Sequence, residues 1–544
     1  MASSSSTGDF YLQGVAQEVA AGNLPRAFQL ATNALQGGLR HPVFFNARAL
    51  WFEDQLRFPE AVREFEQALA LAPQDAVLLN ALGMAYVRSN RANEGVAAFD
   101  RALALAPNSA LIHFRRGWAC ASTGDQEAAR QSYERAIELQ PNHAEALAAL
   151  ASIAARDSKP ELARDYATRA LTVDPGEPTA IVALAMVENA ASKFAEAEAL
   201  LRRGLQDPRA VGHTKAVLLG FLGDALAGQE RSDDAFTAYR DKNEEFRRLH
   251  APRLAAGPRA TEMISQLAAQ IETMPESSWR HGAAPAPVAN GPRVHAFLLG
   301  FLRSGTTLLE QVLNTSTEVV NLEERDSLAE LSGQFMRVPD GLENLAALEG
   351  AALDAARAAY WKRVRGYGVE PAGRVFLDKQ PLNTFNLPLI SKLFPEAKII
   401  FALRDPRDVL FSCYRRHFEV NSTMFEFLSL AGGARFYDAV MRVGELCRAS
   451  MPLTLHEHRY EDMIEDFDSR VRAVCDFLNL EWSQDMRSFS TAAQERAIRS
   501  PSAAQVRRPL YSEGVGQWRR YAAQLEPALP ILAPWVKRFG YSET

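Results

Sequence analysis

The residues best suited to chemistry lie just past the middle of the chain, in VHAFLLGFLRSGTTLLEQVLN. Val294 to Leu299 is a short apolar run suited to a buried parallel strand. It leads into Gly300-Phe-Leu-Arg303-Ser304-Gly305-Thr306-Thr307, and a helical pattern starts at Leu308. A strand, a glycine-bearing loop and a helix N-terminus make an anion site, because backbone N–H groups point at the ligand and the helix dipole favours negative charge. The spacing almost matches the nucleotide loop G-x-x-x-x-G-K-[ST], but Thr306 stands where the lysine belongs. That lysine contacts the β- and γ-phosphates of a nucleoside triphosphate, so its absence weakens an ATPase or kinase reading. Taken alone, a loop this short also reads as a structural turn.

R-S-G-T-T-L after a strand resembles the 5′-phosphosulfate loop of PAPS-dependent sulfotransferases. It is most similar to that of the tyrosylprotein sulfotransferases and their bacterial repeat-containing relatives. The resemblance implies an α/β P-loop-like domain with a central parallel sheet. It also implies PAPS (3′-phosphoadenosine 5′-phosphosulfate) as donor and adenosine 3′,5′-bisphosphate as product. Arg303, Ser304, Gly305, Thr306 and Thr307 would hold the phosphosulfate, with Arg303 also acting in catalysis.

The family's second element is a strand, then R-D-P-R-D, then a serine eight residues after the first arginine. The chain has KIIFALRDPRDVLFSCYRR, with Lys398 to Leu403 as the strand, then Arg404 and Ser412. The resemblance assigns these two, and Arg416 four residues further on, to the cofactor's 3′-phosphate. A guanidinium fork suits phosphate oxygens in geometry as well as charge. Without its partner loop, the same run reads as a solvated turn with surface ion pairs.

Further positions follow from the resemblance alone. A glutamate 21 residues after the loop arginine is the general base, which lands on Glu324, with Glu323 the adjacent alternative. Lys379, followed two residues on by Pro381, stabilises the transition state. Tyr460 in HRYEDMIEDF lies near the cofactor. Ser502, Arg507, Arg508 and Tyr511 belong to a segment that closes over PAPS, with Ser502 in a catalytic role. From residue chemistry alone, Glu324 also reads as a helix cap and Lys379 as a lysine on a solvated face. Two departures stand out: Leu302 replaces the family's usual proline, and Gln517 replaces a lysine of the animal enzymes, with Arg519 and Arg520 nearby. The implied reaction is in-line sulfuryl transfer, for which positioning and electrostatics suffice. A sulfuryl group carries less charge than a terminal phosphate, so no metal is expected.

The elements ahead of this site form a repeat. Pro73, Pro107, Pro141 and Pro175 are each 34 residues apart, the tetratricopeptide period. Small and aromatic residues keep the same register: Ala61, Phe65 and Ala68; Leu82, Gly83, Tyr86, Phe99 and Ala102; Gly117, Ala129, Tyr133 and Ala136; Ala163 and Ala170. The pattern returns as Leu222, Gly223, Ala235 and Tyr239, and about six to seven units fit. Small residues let paired helices approach, and proline ends each second helix. The resemblance to tetratricopeptide repeats predicts a helical superhelix over 9–248. A helix-like stretch over 260–274 and a Pro/Ala/Gly-rich linker fill 249–293, and the sulfotransferase domain spans 294–544.

Bulk properties narrow the setting. The net charge of −6 argues against a general nucleic-acid binder. No window approaches the roughly 18 consecutive apolar residues of a membrane span. Nor does the N-terminus carry a cationic, then apolar, secretion signal. Cys120, Cys413, Cys447 and Cys475 are too sparse for a disulfide framework and lack metal-ligand spacing, so a reducing, cytoplasmic setting is expected. The expected partner is an acceptor peptide or protein held by the repeats, with a homodimer as a further use of that surface. The acceptor is expected to be tyrosine, with a carbohydrate, a lipid or a small phenol as alternatives. The rivals are a P-loop kinase or ATPase and a non-catalytic repeat scaffold.

Overall fold

The computed structural model describes residues 2–254, 257–279, 288, 290–494, 506, 507, 510 and 513–542. Two compact units divide the chain, Met1–Asp207 and Pro208–Thr544.

In the first unit, helices follow one another as hairpins: Pro42–Asp54 with Phe58–Leu71, Ala76–Arg88 with Ala92–Leu105, and Ala110–Thr123 with Gln126–Leu139. Ala144–Arg156 with Pro160–Val173 and Pro178–Ala190 with Phe194–Leu205 continue the series. Each periodic proline lies two residues past a second helix and forces its predecessor out of helical geometry. Ala72, Ala106 and Gln140 sit at ψ 70, 66 and 90°. Two residues after each proline comes a side-chain N-cap for the next helix: Asp75, Ser109, His143 and Glu177 each accept a backbone N–H. Stop and start signals are thus carried by one four-residue stretch, repeated. Within the hairpins, a Cβ at Gly117 would come within 2.6 Å of the Tyr133 ring, so only glycine lets that ring lie on the first helix.

The second unit is built on a five-stranded sheet of β1 (Val294–Gly300), β2 (Val319–Asn321), β3 (Val375–Lys379), β4 (Lys398–Leu403) and β5 (Thr454–Arg459), in the order β2-β3-β1-β4-β5. Every neighbouring pair is parallel. Strand β1 is buried along its whole length, as a strand covered on both faces must be. Ala296 and Leu298 face a core with Leu309, Val312, Val471 and Val474. The alternate residues His295 and Phe297 meet Tyr360, Trp361, Phe376 and Phe394. The chain leaves β1 for β2 and β3 on one side, then crosses to β4 and β5 on the other. The loops after β1 and β4 therefore diverge, and that switch point is where open parallel sheets bind ligands.

The hairpin Gly212–Gly228 with Ser232–Leu254 carries the repeat signature yet packs with this second unit. Its Lys242 is fully buried and donates to the carbonyls of Tyr414, Arg415 and Arg416 at 3.0, 3.0 and 2.9 Å. Asn243 adds a bond to Tyr414 O at 3.0 Å. Together they cap the C-terminal end of the helix Pro406–Arg415, giving its last carbonyls the donors a helix end lacks. Among the described residues, no helix is long and apolar enough to cross a membrane.

Candidate active site

The loop after β1 carries two residues in left-handed backbone geometry, Arg303 (φ 66°) and Gly305 (φ 88°), and Gly305 caps the helix Thr306–Leu313. A Cβ on Gly305 would meet the Tyr460 ring at 2.6 Å, so the ring closes directly onto the loop. Arg303 Nε donates to Ser412 Oγ at 3.0 Å, which links the loop after β1 to the helix after β4. Arg404 completes the join: its Nη1 donates to Arg303 O at 2.9 Å, its Nη2 to Gly514 O, and its plane lies 4.7 Å from the Tyr460 ring centre. The Nε of Arg404 is buried with no hydrogen-bond partner. A buried donor left over among arginines is what an anionic oxygen satisfies.

The electrostatics agree. Burial pulls Arg303 down to about 9, helped by the charges of Arg416, Arg404 and Arg415 and opposed by Cys413. Such crowding of like charge is costly in an empty site and favourable around a polyanion. The residues present therefore fit an anionic ligand. Asp405 is committed elsewhere: it accepts from the Arg407 backbone N–H at 2.9 Å and pairs with the Arg407 guanidinium at 2.8 Å. The magnesium-supporting role a kinase would ask of it is thereby taken up.

The base candidate sits on the loop after β2. Glu323 and Glu324 both have positive φ, 49 and 65°, a strained geometry for residues with a Cβ. The surroundings hold the loop there. Ser327 Oγ donates to Asp378 Oδ2 at 2.5 Å, and Tyr360 OH donates to the same oxygen at 2.7 Å. Burial pushes the Asp378 carboxyl up to about 6, against these two hydrogen bonds. Arg325 reaches Tyr367 O at 2.8 Å and Arg363 reaches Asp326 O at 2.6 Å. Glu324 is thereby presented to Lys379, whose Nζ donates to Glu324 Oε1 at 2.5 Å. On its other side the same ammonium lies 3.2 Å from Glu310 Oε2.

One cleft of about 370 Å³ joins the two groups. Of the residues singled out in the sequence, Arg303, Gly305, Thr306, Thr307, Glu324, Arg404, Ser412 and Tyr460 line it. Ser304 is buried behind the loop, and Lys379 stands behind Glu324 rather than in the wall. Arg416 falls just past the helix and Arg415, beside it, lines the cleft instead. Arg507 turns to Ala493 O at 3.2 Å and is not part of the wall. Ser502, Arg508 and Tyr511 lie outside the described residues. Leu302, Pro381, Phe385, Phe418 and Met424 share the rest of the wall with polar residues such as Arg337, Asn383 and Asn421.

Three residues were not found by reading the sequence. Asp408, at 1% exposure, accepts the backbone N–H groups of Gly516 and Trp518 at 2.6 and 2.8 Å, which draws that segment to the cleft. Glu461 accepts from the Asp405 N–H at 2.9 Å. Glu310 is the one charged residue in TTLLEQVL, and burial pushes its carboxyl up to about 7 although Lys379 opposes the shift. In a helix whose other residues are all uncharged, that lone carboxylate was the available signal.

A parallel sheet with an arginine-ringed anion loop at its switch point, faced by a carboxylate–lysine pair, defines a group-transfer site. Residues 296–484 match the model of the sulfotransferase family, and residues 80–144 and 124–178 match the tetratricopeptide repeat. The chain thus joins tetratricopeptide repeats to a sulfotransferase-family segment. An uncharacterised protein of Aquifex aeolicus is 27% identical over 251 residues, covering 44% of this chain and 32% of that protein. The chain therefore spans about a third of that relative's length. Protein-tyrosine sulfotransferase 1 of Danio rerio is 25% identical over 262 residues, covering 45% of this chain and 71% of its own. Protein-tyrosine sulfotransferase 2 of Gallus gallus is 24% identical over 271 residues, covering 45% and 68%.

Proposed function

We propose that the chain transfers a sulfuryl group from PAPS to an acceptor hydroxyl, releasing adenosine 3′,5′-bisphosphate. The preferred acceptor is a tyrosine in a peptide or protein. The observation that carries the reading is the Glu324–Lys379 pair at 2.5 Å, with Glu324 opening into the same cleft as Arg303, Arg404 and Ser412. PAPS supplies the sulfuryl group and the leaving 5′-phosphate. Arg303, the N–H groups at Thr306 and Thr307, and the helix dipole hold the anionic end. Arg404 and Ser412 hold the 3′-phosphate, with Tyr460 packed against the loop. Glu324 takes the acceptor's proton, an effect worth roughly 10²–10⁴-fold in rate. Lys379 turns from Glu324 to steady the charge that develops on the leaving oxygen.

The tyrosine preference rests on the names of the vertebrate relatives, and the Phe385 and Phe418 rings in the cleft wall are compatible with an aromatic acceptor. The organisation we propose keeps a repeat array over 9–248 and a sulfotransferase domain over 294–544, the last hairpin serving both. The array's role is to hold the acceptor polypeptide.

The test is calorimetric titration with adenosine 3′,5′-bisphosphate beside ATP with magnesium. Micromolar binding of the bisphosphate, abolished by Arg404→Ala, supports the reading. Binding of ATP alone turns it toward a nucleotide kinase. Labelled PAPS with a tyrosine peptide then tests the acceptor.

A further inference from the structure

Lys379 lies between two carboxylates, and only one of them opens to the cleft. Glu324 is 24% exposed in its side chain, whereas Lys379 and Glu310 are each 1% exposed. Glu310 comes from the phosphosulfate-loop helix, one turn below Thr306, and reaches the end of β3. Its Oε2 faces the ammonium at 3.2 Å, and its Oε1 is buried with no hydrogen-bond partner. A carboxylate kept in such a place at the cost of one unsatisfied oxygen calls for an explanation.

We infer that Glu310 is the positioning residue that keeps Lys379 charged and aimed while Glu324 changes its own charge. This rests on the sulfuryl-transfer reading above. In that reaction the acceptor O–H bond breaks and its proton moves to Glu324. The acceptor oxygen bonds to sulfur, the bridging S–O bond breaks, and its electron pair stays on the 5′-phosphate. Glu324 becomes neutral at the moment when Lys379 is needed as a cation. With Glu324 as its only partner, the buried ammonium would lose its counter-ion in mid-reaction, and an unpaired buried charge is strongly disfavoured. Glu310 is shielded from the acceptor's proton, and above about pH 7, where its raised carboxyl is ionised, it holds the charge. It also ties the lysine to the helix that binds the leaving group, so that donor and lysine are positioned by one element. The other charges near Glu310 are Glu323 and Glu324, both negative, so Lys379 is its cationic partner.

The experiment compares the full chain with Glu310→Gln and Glu310→Asp. The first readout needs no turnover: the pH titration of Lys379 followed by NMR of protein labelled with 13C at lysine Cε, its signal assigned with Lys379→Arg. Glu310→Gln should lower the midpoint of that titration by about one unit or more, and Glu310→Asp should restore most of it. The second readout is steady-state transfer from PAPS to a tyrosine peptide. Glu310→Gln should cut kcat by roughly 10²-fold while KM and adenosine 3′,5′-bisphosphate affinity stay within about twofold. An unchanged Lys379 titration in Glu310→Gln overturns the inference, as does a normal kcat. Equal losses of bisphosphate affinity and thermal stability would also overturn it, since they assign Glu310 to packing alone. If the parent chain transfers no sulfuryl group, the functional reading fails, and the titration comparison still decides whether Glu310 sets the charge on Lys379.

Discussion

Four hairpins of the first unit and the last hairpin, Gly212–Gly228 with Ser232–Leu254, share one packing plan and contrast at two of its positions. Three residues after the packing position of the second helix, those four place Ala68, Ala102, Ala136 and Ala170, all at 0% exposure. Three residues after Tyr239 stands Lys242, equally buried. Eight residues after that packing position the repeats carry Pro73, Pro107, Pro141 and Pro175, whereas the last hairpin carries Arg247 and its helix runs on to Leu254. The extension lets Arg253 donate to Val420 O at 3.0 Å, while Lys242 grips the carbonyl end of the helix that bears Ser412. These two positions mark the contrast between a stacking module and a brace for the cleft. A repeat buries alanine against another helix; the last hairpin buries an amine that donates to three carbonyls.

That contrast can be broken from either side. The largest effect is expected from Ala102→Lys, which puts the brace's residue where no carbonyls await it. Burying an unpaired ammonium should cost about 4 kcal/mol or more. Circular dichroism melts should show the repeats destabilised, with bisphosphate affinity unchanged in calorimetry. Arg247→Pro imposes the repeats' stop signal on the last hairpin and should cost about 3 kcal/mol. Hydrogen exchange over 414–420 should accelerate sharply. Lys242→Met keeps the volume but leaves three carbonyls without their donor, for a loss of about 2 kcal/mol. Adenosine 3′,5′-bisphosphate should bind roughly tenfold more weakly, a change of about 1.4 kcal/mol.

The smallest effect is in pH. Burial, then the nearby Arg416 and Arg415, pull Lys242 down to about 7, with Asp224 opposing. A depressed folded value means that the unfolded chain binds more protons between about 7 and 10.5. Lys242's contribution to stability should therefore be fullest above that window and decline as pH falls through about 7. Subtracting the pH–stability curve of Lys242→Met from that of the parent isolates this slope.

What could be read from the sequence was what sits in contiguous runs. The loop around Arg303 and the Arg404–Ser412 segment each combine a strand, a turn and a helix start within a few residues, so their types and order suffice. The repeats were legible because stop and cap signals recur at a fixed period. Side-chain direction was not. A count assigns Arg416 to the cleft, yet the helix ends at Arg415 and it is Arg415 that lines the wall. Asp408 read as part of a charged turn, because nothing local announces that its partners are the N–H groups of Gly516 and Trp518. Glu310 was hidden for a related reason: its meaning depends on Lys379, which lies on a different strand.

The join at Arg404 also bears on the order in which the molecule is made. Its guanidinium binds Arg303 O, 101 residues earlier, and Gly514 O, 110 residues later. The hairpins of the first unit close contacts over a few tens of residues, so they can fold as they leave the ribosome. The cleft cannot take its finished form until residue 514 has emerged. During synthesis the growing chain therefore displays its repeats well before its cleft is complete.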